Sequence, residues 1–139
     1  MTLDTLETTI ETYRICSESD VMSAAISVYT LAKGDHFSDA AVSEVSTSVS
    51  ELAMNIVKYA DEGSIVVSSI DGPHRSGLKV VATDNGPGIE NISDALTENF
   101  STGSSLGLGL PGVQRMVDEF DIESESGKGT KVTIIKWKT

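Results

Sequence analysis

The sequence predicts an α+β protein built as a two-layer α/β sandwich, with helices packed on one face of a mixed, mainly antiparallel sheet. Three observations lead there. Two helical stretches stand back to back in the first half of the chain, two apolar strands follow around the turn sequence DGPHRS, and strand patterns return at the C-terminal end. No linker, repeat or low-complexity tract divides the 139 residues. They read as a single domain over 1–139, with about 1–11 forming an N-terminal tail.

Each element has its own signal. TYRICS (12–17) reads as a strand, with Cys16 an ordinary member of it. SESDVMSAAISVYTLAKG (17–34) reads as a helix ending at Gly34. Ser38 and Asp39 open a second, longer helix that runs to about Tyr59. Within it Val42, Val45, Val49, Leu52, Ile56 and Tyr59 recur at intervals of three and four, the stripe that a core-facing helix requires. SIVVSSI (64–70) and GLKVVATD (77–84) make a β-hairpin around DGPHRS. A polar loop leads to a helix from near Pro111 to Phe120, and strands near 120–125 and 130–137 close the chain.

Composition removes several function classes. The net charge is −11, and an acidic surface repels phosphate backbones, which argues against a nucleic-acid partner. Four of the ten cations, Lys128, Lys131, Lys136 and Lys138, fall in the last twelve residues. They read as a solvated strand face, with docking of an acidic partner as the alternative. MTLDTLETTIE carries three acids and no base, the wrong charge for a secretory signal. No apolar run approaches the roughly 20 residues needed to span a bilayer. With one cysteine and no membrane segment, the expectation is a cytoplasmic protein.

The second helix carries the first chemical pattern. Ser48, Glu51, Asn55 and Lys58 each stand one position before a residue of the apolar stripe, about 100° around the helix, so they flank the buried seam. Glu51 and Asn55 are four apart and project together. Their oxygens suit Mg²⁺, and a carboxylate there suits taking a proton from a hydroxyl. The bland alternative is a solvent-facing polar edge. The second pattern is DNGPGI, beginning at Asp84 where the strand LKVVAT stops. Gly86 and Gly88 allow close approach of backbone to a ligand, and Asp84 is an acceptor at the mouth of the sheet, suited to an exocyclic amine of a purine.

The third pattern, STGSSLGLGLPGV from Ser101, contains a decoy. Gly107, Gly109 and Gly112 spell GxGxxG, the dinucleotide fingerprint, but the polar run NFSTGSS precedes them where an apolar strand is required. What remains is a Ser/Gly-rich segment leading to a helix with Pro111 near its first turn, where free backbone N–H groups bind phosphate without basic side chains. The fourth pattern, GKGTKVTI, makes a tight turn at Gly127 and Gly129 and puts the Thr130 hydroxyl where it can brace Asp84 or a water beside it.

In this order, ExxxN on a helix, DxGxG after a strand, GLGL before a helix and GxGT before a strand resemble the Bergerat-fold (GHKL) ATPases, the superfamily of gyrase B, heat-shock protein 90 chaperones, MutL, histidine kinases and anti-sigma-factor kinases. The wording SVSELAMNI, ENFSTGSSLGLGLPGVQRMVDEF and ESGKGTKVT is most similar to the stressosome switch serine/threonine kinases of the RsbT type. The resemblance runs from about Tyr13 to Trp137.

It implies an ATP- and Mg²⁺-dependent kinase. Glu51 would be the general base, Asn55 would ligate Mg²⁺, and Lys58 would either reach the phosphates as in histidine kinases or be a plain surface lysine. Asp84 would receive the adenine amino group, with Gly86 and Gly88 shaping its pocket and Thr130 supporting it through water. Ser101, Thr102 and Gly103 belong to a short ATP lid, while Gly107, Leu108, Gly109 and Leu110 would close over the triphosphate. Met54 departs from the pattern, standing where related kinases often carry Arg. His36 and His74 lie in turn-like segments, with no phosphoacceptor histidine helix. The implied substrate is a STAS-domain protein, and the implied output a switch to a second partner such as a phosphatase. An anti-sigma-factor kinase and a non-catalytic, ATP-dependent binding module are the alternatives, though pure binding needs no Glu51. Some relatives dimerise, and the sequence leaves a homodimer open.

Overall fold

The computed structural model describes residues 5–89, 95–96 and 109–138. Their elements run β1 (Leu6–Ile15), α1 (Glu18–Gly34), α2 (Asp39–Ala60), β2 (Gly63–Asp71), β3 (Ser76–Asp84), α3 (Gly109–Met116), β4 (Glu119–Glu125) and β5 (Gly129–Trp137). One sheet holds the strands in the order β1-β2-β3-β5-β4, antiparallel at every pairing. The sheet, expected to be mixed and mainly antiparallel, is thus wholly antiparallel among the described residues, with β5 between β3 and β4 and opposite to both. Val67, Val80 and Ile134 are successive cross-strand partners, fully enclosed on one face, and α1 and α2 share their core cluster.

Local chemistry fixes the helix ends. Ser17 caps α1 by accepting the Asp20 N–H while Asp20 reaches back to the cap, a reciprocal box that satisfies two otherwise orphaned amides. The Cys16 N–H, donated at 2.8 Å, holds the Asp20 carboxyl below its ordinary pKa. Cys16 itself is exposed and just past β1, one residue beyond where the strand stops. At the other end α1 stops at Gly34, as expected, and two positions on His36 takes the left-handed conformation at φ 66°. His36 N–H bonds Lys33 O and Phe37 N–H bonds Ala32 O, which satisfies two terminal carbonyls and buries Phe37.

Helix α2 buries Val42, Val45, Val49, Leu52 and Ile56 as the periodicity requires, but Tyr59 is 53% exposed. Ala60, not Tyr59, meets the loop after β3, so the last turn of the stripe faces outward. The helix then stops in a γ-turn: Glu62 N–H bonds Ala60 O at 2.8 Å around Asp61, whose φ is 69°.

Two further expectations change. The supposed tail over about 1–11 contains most of β1, which pairs with β2 from Leu6↔Asp71 onward. The last helix ends at Met116 rather than near Phe120, because Asp118 N–H already joins Ile135 O of the sheet. The basic tail is largely paired within the fold. Lys136 contacts Glu44 at 2.9 Å and the carbonyl of Met116 at 2.9 Å, so it caps α3 and ties it to α2, while Lys138 pairs with Asp35 and Lys128 with Glu125. No described helix is long and apolar enough to cross a membrane.

Candidate functional site

Alternation along β3 puts Val80, Ala82 and Asp84 on the helix-covered face. Asp84 therefore ends a core-facing row as a carboxylate. Its partner on β5 is Thr130, whose partner on β4 is Ser124. Three polar side chains stand side by side where three apolar rows stop.

Helix α2 lies close over this end. A Cβ built on Gly63, the β2 partner of Asp84, would be 3.0 Å from Ile56 Cγ2 and 3.1 Å from Asp84 Cβ. One on Gly86 would be 2.6 Å from Ala60 Cβ. The last turns of α2 are thus in contact with the Asp84 end of the sheet, and Asn55 is the helix neighbour of Ile56. Glu51 is one turn earlier, about 6 Å along the axis. It is only 3% exposed, an unusual place for a carboxylate outside a functional site. Asn55 and Lys58 are half-buried on the same flank. Lys58 Nζ is buried without a hydrogen-bond partner among the described residues, 5.1 Å from the centre of the Tyr59 ring. A buried ammonium in that state favours an anion. Ser48, the remaining member of the row, is satisfied by the Glu44 carbonyl at 2.8 Å and has a structural role.

The DNGPGI loop is fastened at several points. Asp84 Oδ1 accepts the Gly86 N–H at 2.9 Å, Pro87 O accepts the Gly127 N–H, and Ser124 Oγ accepts the Ile89 N–H at 2.8 Å. Gly88, at φ 77°, backs onto the Glu125 carbonyl. Gly129, at φ 87°, packs its Cα against the Asp84 carbonyl, where a Cβ would collide with backbone. Gly129→Ala is accordingly expected to lose about 1–3 kcal/mol from the backbone conformation alone, with the clash in addition. Urea denaturation measures this, and a change below about 0.5 kcal/mol would contradict the placement.

An open cleft of ≈ 560 Å³ also borders Asp84 at this end of the sheet, with Ala60 of α2, Asp61 and Gly63 among its lining residues. Arg14, Ser64 and Thr83, successive cross-strand partners facing away from the helices, line it, and Glu51, Asn55, Lys58 and Thr130 do not. Arg14 pairs there with Glu62 at 2.7 Å, which raises the guanidinium pKa. This cleft differs from the pocket that the sequence leads one to expect. Of the remaining expected residues, Ser101, Thr102, Gly103, Gly107 and Leu108 lie outside the described residues. Gly109, at φ 56°, and the buried Leu110 open α3, which packs on α2. Met54 is half-buried against the core, and His36 and His74 are exposed.

Sequence reasoning missed Ser124. Its signal was the inward row Phe120, Ile122, Ser124 on β4, in which a hydroxyl replaces the apolar residue that should continue the row.

Residues 41–139 match the family described as histidine kinase-, DNA gyrase B-, and HSP90-like ATPase. The chain is 40% identical over 124 residues to the serine/threonine-protein kinase RsbT of Bacillus subtilis, covering 89% of this chain and 93% of that protein. It is also 33% identical over 101 residues to the anti-sigma F factor of Thermoanaerobacter sp., covering 69% and 70%. The anti-sigma F factor of Caldanaerobacter subterraneus is 30% identical over 102 residues, with the same shares.

Proposed function

The chain belongs to the histidine kinase-, DNA gyrase B-, and HSP90-like ATPase family, and on that premise we propose that it is an ATP-dependent serine/threonine protein kinase. It acts as a partner-switching regulator in sigma-factor signalling, phosphorylates a STAS-domain protein and then engages a phosphatase or other output partner. The observation that carries this reading is the enclosed Glu51 carboxylate on the flank of α2 that also bears Asn55 and the buried Lys58 ammonium, above a sheet end holding Asp84 and Thr130.

In this reading adenine gives its amino hydrogens to Asp84, and the triphosphate runs along α2. Lys58 supplies the anion with a cation in a chain of net charge −11. Oxygen donors at Asn55 and on the phosphates suit Mg²⁺, which supplies charge neutralisation at the β- and γ-phosphates when bound. Glu51 accepts the proton of the incoming serine or threonine hydroxyl as its oxygen bonds to the γ-phosphorus and the bond to the ADP oxygen breaks. Such a transfer depends mainly on positioning and charge, which this small site can provide.

The similarity to anti-sigma F factors supports a second reading, a kinase that also holds a sigma factor. Capture from native cell extract with ATP and Mg²⁺, followed by phosphosite mapping, separates the two. The first predicts a single phosphorylated Ser or Thr on a STAS-domain protein and no sigma factor in the complex. A sigma factor bound by the unphosphorylated system supports the second. Capture with no phosphoryl transfer at any partner would contradict both kinase readings.

A further inference from the structure

Among the described residues the Ser124 hydroxyl has three hydrogen-bonding neighbours, and their chemistry permits one arrangement of protons. Ile89 N–H donates to Ser124 Oγ at 2.8 Å. The Gly129 carbonyl, 2.9 Å away, can only accept, so it takes the one hydrogen that Ser124 owns. The remaining contact, 2.9 Å to Thr130 Oγ1, must then be made with the hydrogen of Thr130. Ser124 Oγ is saturated by this, one bond given and two received. The Thr130 proton is turned toward β4 and away from Asp84, so the hydroxyl offers only lone pairs to the space beside Asp84. Asp84, its cross-strand partner, is a carboxylate with one oxygen already holding the Gly86 amide.

We infer that Ser124 is a positioning residue that locks Thr130 as an acceptor and thereby makes the site select a 6-amino purine over a 6-oxo purine. The inference rests on the nucleotide reading above. Two adjacent acceptors match the two N–H donors of a primary amine that meets them directly. A 6-oxo base brings a carbonyl oxygen to the same place, where it meets lone pairs on both sides. Sites built from fixed hydrogen-bonding groups reject the mismatched analogue because buried polar atoms are left unpaired. Without Ser124 the Thr130 hydroxyl is free to rotate and give its hydrogen to that oxygen.

Calorimetry of the full chain with Mg²⁺ and either ATP or inosine triphosphate tests this. The wild-type protein is expected to prefer ATP. Ser124→Ala is expected to narrow the ratio of the two dissociation constants by about 3- to 10-fold, the worth of one neutral hydrogen bond, through tighter inosine triphosphate binding. In a Thr130→Val background, where no hydroxyl remains to be oriented, adding Ser124→Ala is expected to leave the ratio unchanged. If Ser124 merely supports the loop, its loss weakens both nucleotides alike in both backgrounds, and a constant ratio overturns the inference. Ser124→Cys, close in size with a weaker donor, carries the same comparison if the alanine variant does not fold. A wild-type protein that binds neither nucleotide overturns the nucleotide reading itself. One that binds ATP while Ser124→Ala keeps the wild-type ratio overturns the role of Ser124 alone.

Discussion

Glu51→Gln is expected to lower phosphoryl transfer by about 10²- to 10⁴-fold, the usual worth of a positioned general base. ATP affinity is expected to stay within about threefold, under 1 kcal/mol. The two effects separate because the role proposed for Glu51 is at the acceptor hydroxyl, while the proposed contacts of adenine and phosphates are Asp84, Lys58 and backbone. Glutamine keeps the size of a side chain that is 3% exposed, so the variant removes the base without opening a cavity. Radiolabelled transfer to the partner, with calorimetry alongside, reads both quantities. Transfer at the wild-type rate would remove Glu51 from the chemistry. Affinity and rate falling together would mean that its role is to shape the site.

Asp84→Asn is expected to weaken ATP binding by about 10- to 100-fold, corresponding to the 1.5–3 kcal/mol of a hydrogen bond to a charged group. Geometry makes this isosteric change severe. Asp84 Oδ1 holds the Gly86 N–H at 2.9 Å, a bond that the amide oxygen of asparagine can keep. The amide NH₂ then occupies the place of the second oxygen, and two sets of donors face each other at the adenine amine. Folding is expected to change little, because the loop retains its bonds through Pro87 O and Ser124 Oγ. Calorimetry that returns the wild-type affinity would take adenine recognition away from this residue.

The parts of the fold that bury apolar rows were legible in the sequence. The α2 stripe and the β2–β3 hairpin announce themselves because each buried face needs its own period, 3.6 or 2. β1 was half hidden for the converse reason. Its first seven residues are exposed on an edge strand whose pairing with β2 depends on backbone rather than on apolar alternation, so Leu6–Glu11 resembled a polar tail. The stop of α1 at Gly34 was legible, but the left-handed His36 in the turn beyond it was not, because it is held by the bonds to Lys33 and Ala32 and by the buried Phe37, none of which a local pattern shows. In the site, the row Glu51, Asn55, Lys58 and the residues Asp84 and Thr130 were readable as spacing. Their meeting required the strand order, which sets β5 beside β3 and so places Thr130 against Asp84. The Ser124 network was invisible for the same reason: it joins residues from a loop, β4 and β5 that meet only once the sheet is assembled.

The most direct measurement is a crystal structure of the chain with Mg²⁺ and a non-hydrolysable ATP analogue. The account predicts the adenine amine on the Asp84 carboxylate on the helix-covered face, Thr130 within reach directly or through a water, and the phosphates along α2 beside Asn55 and Lys58 with Glu51 facing the γ-phosphate. An analogue with its adenine against Arg14, Ser64 and Thr83, away from Thr130, or one whose γ-phosphate lies away from Glu51, would contradict it.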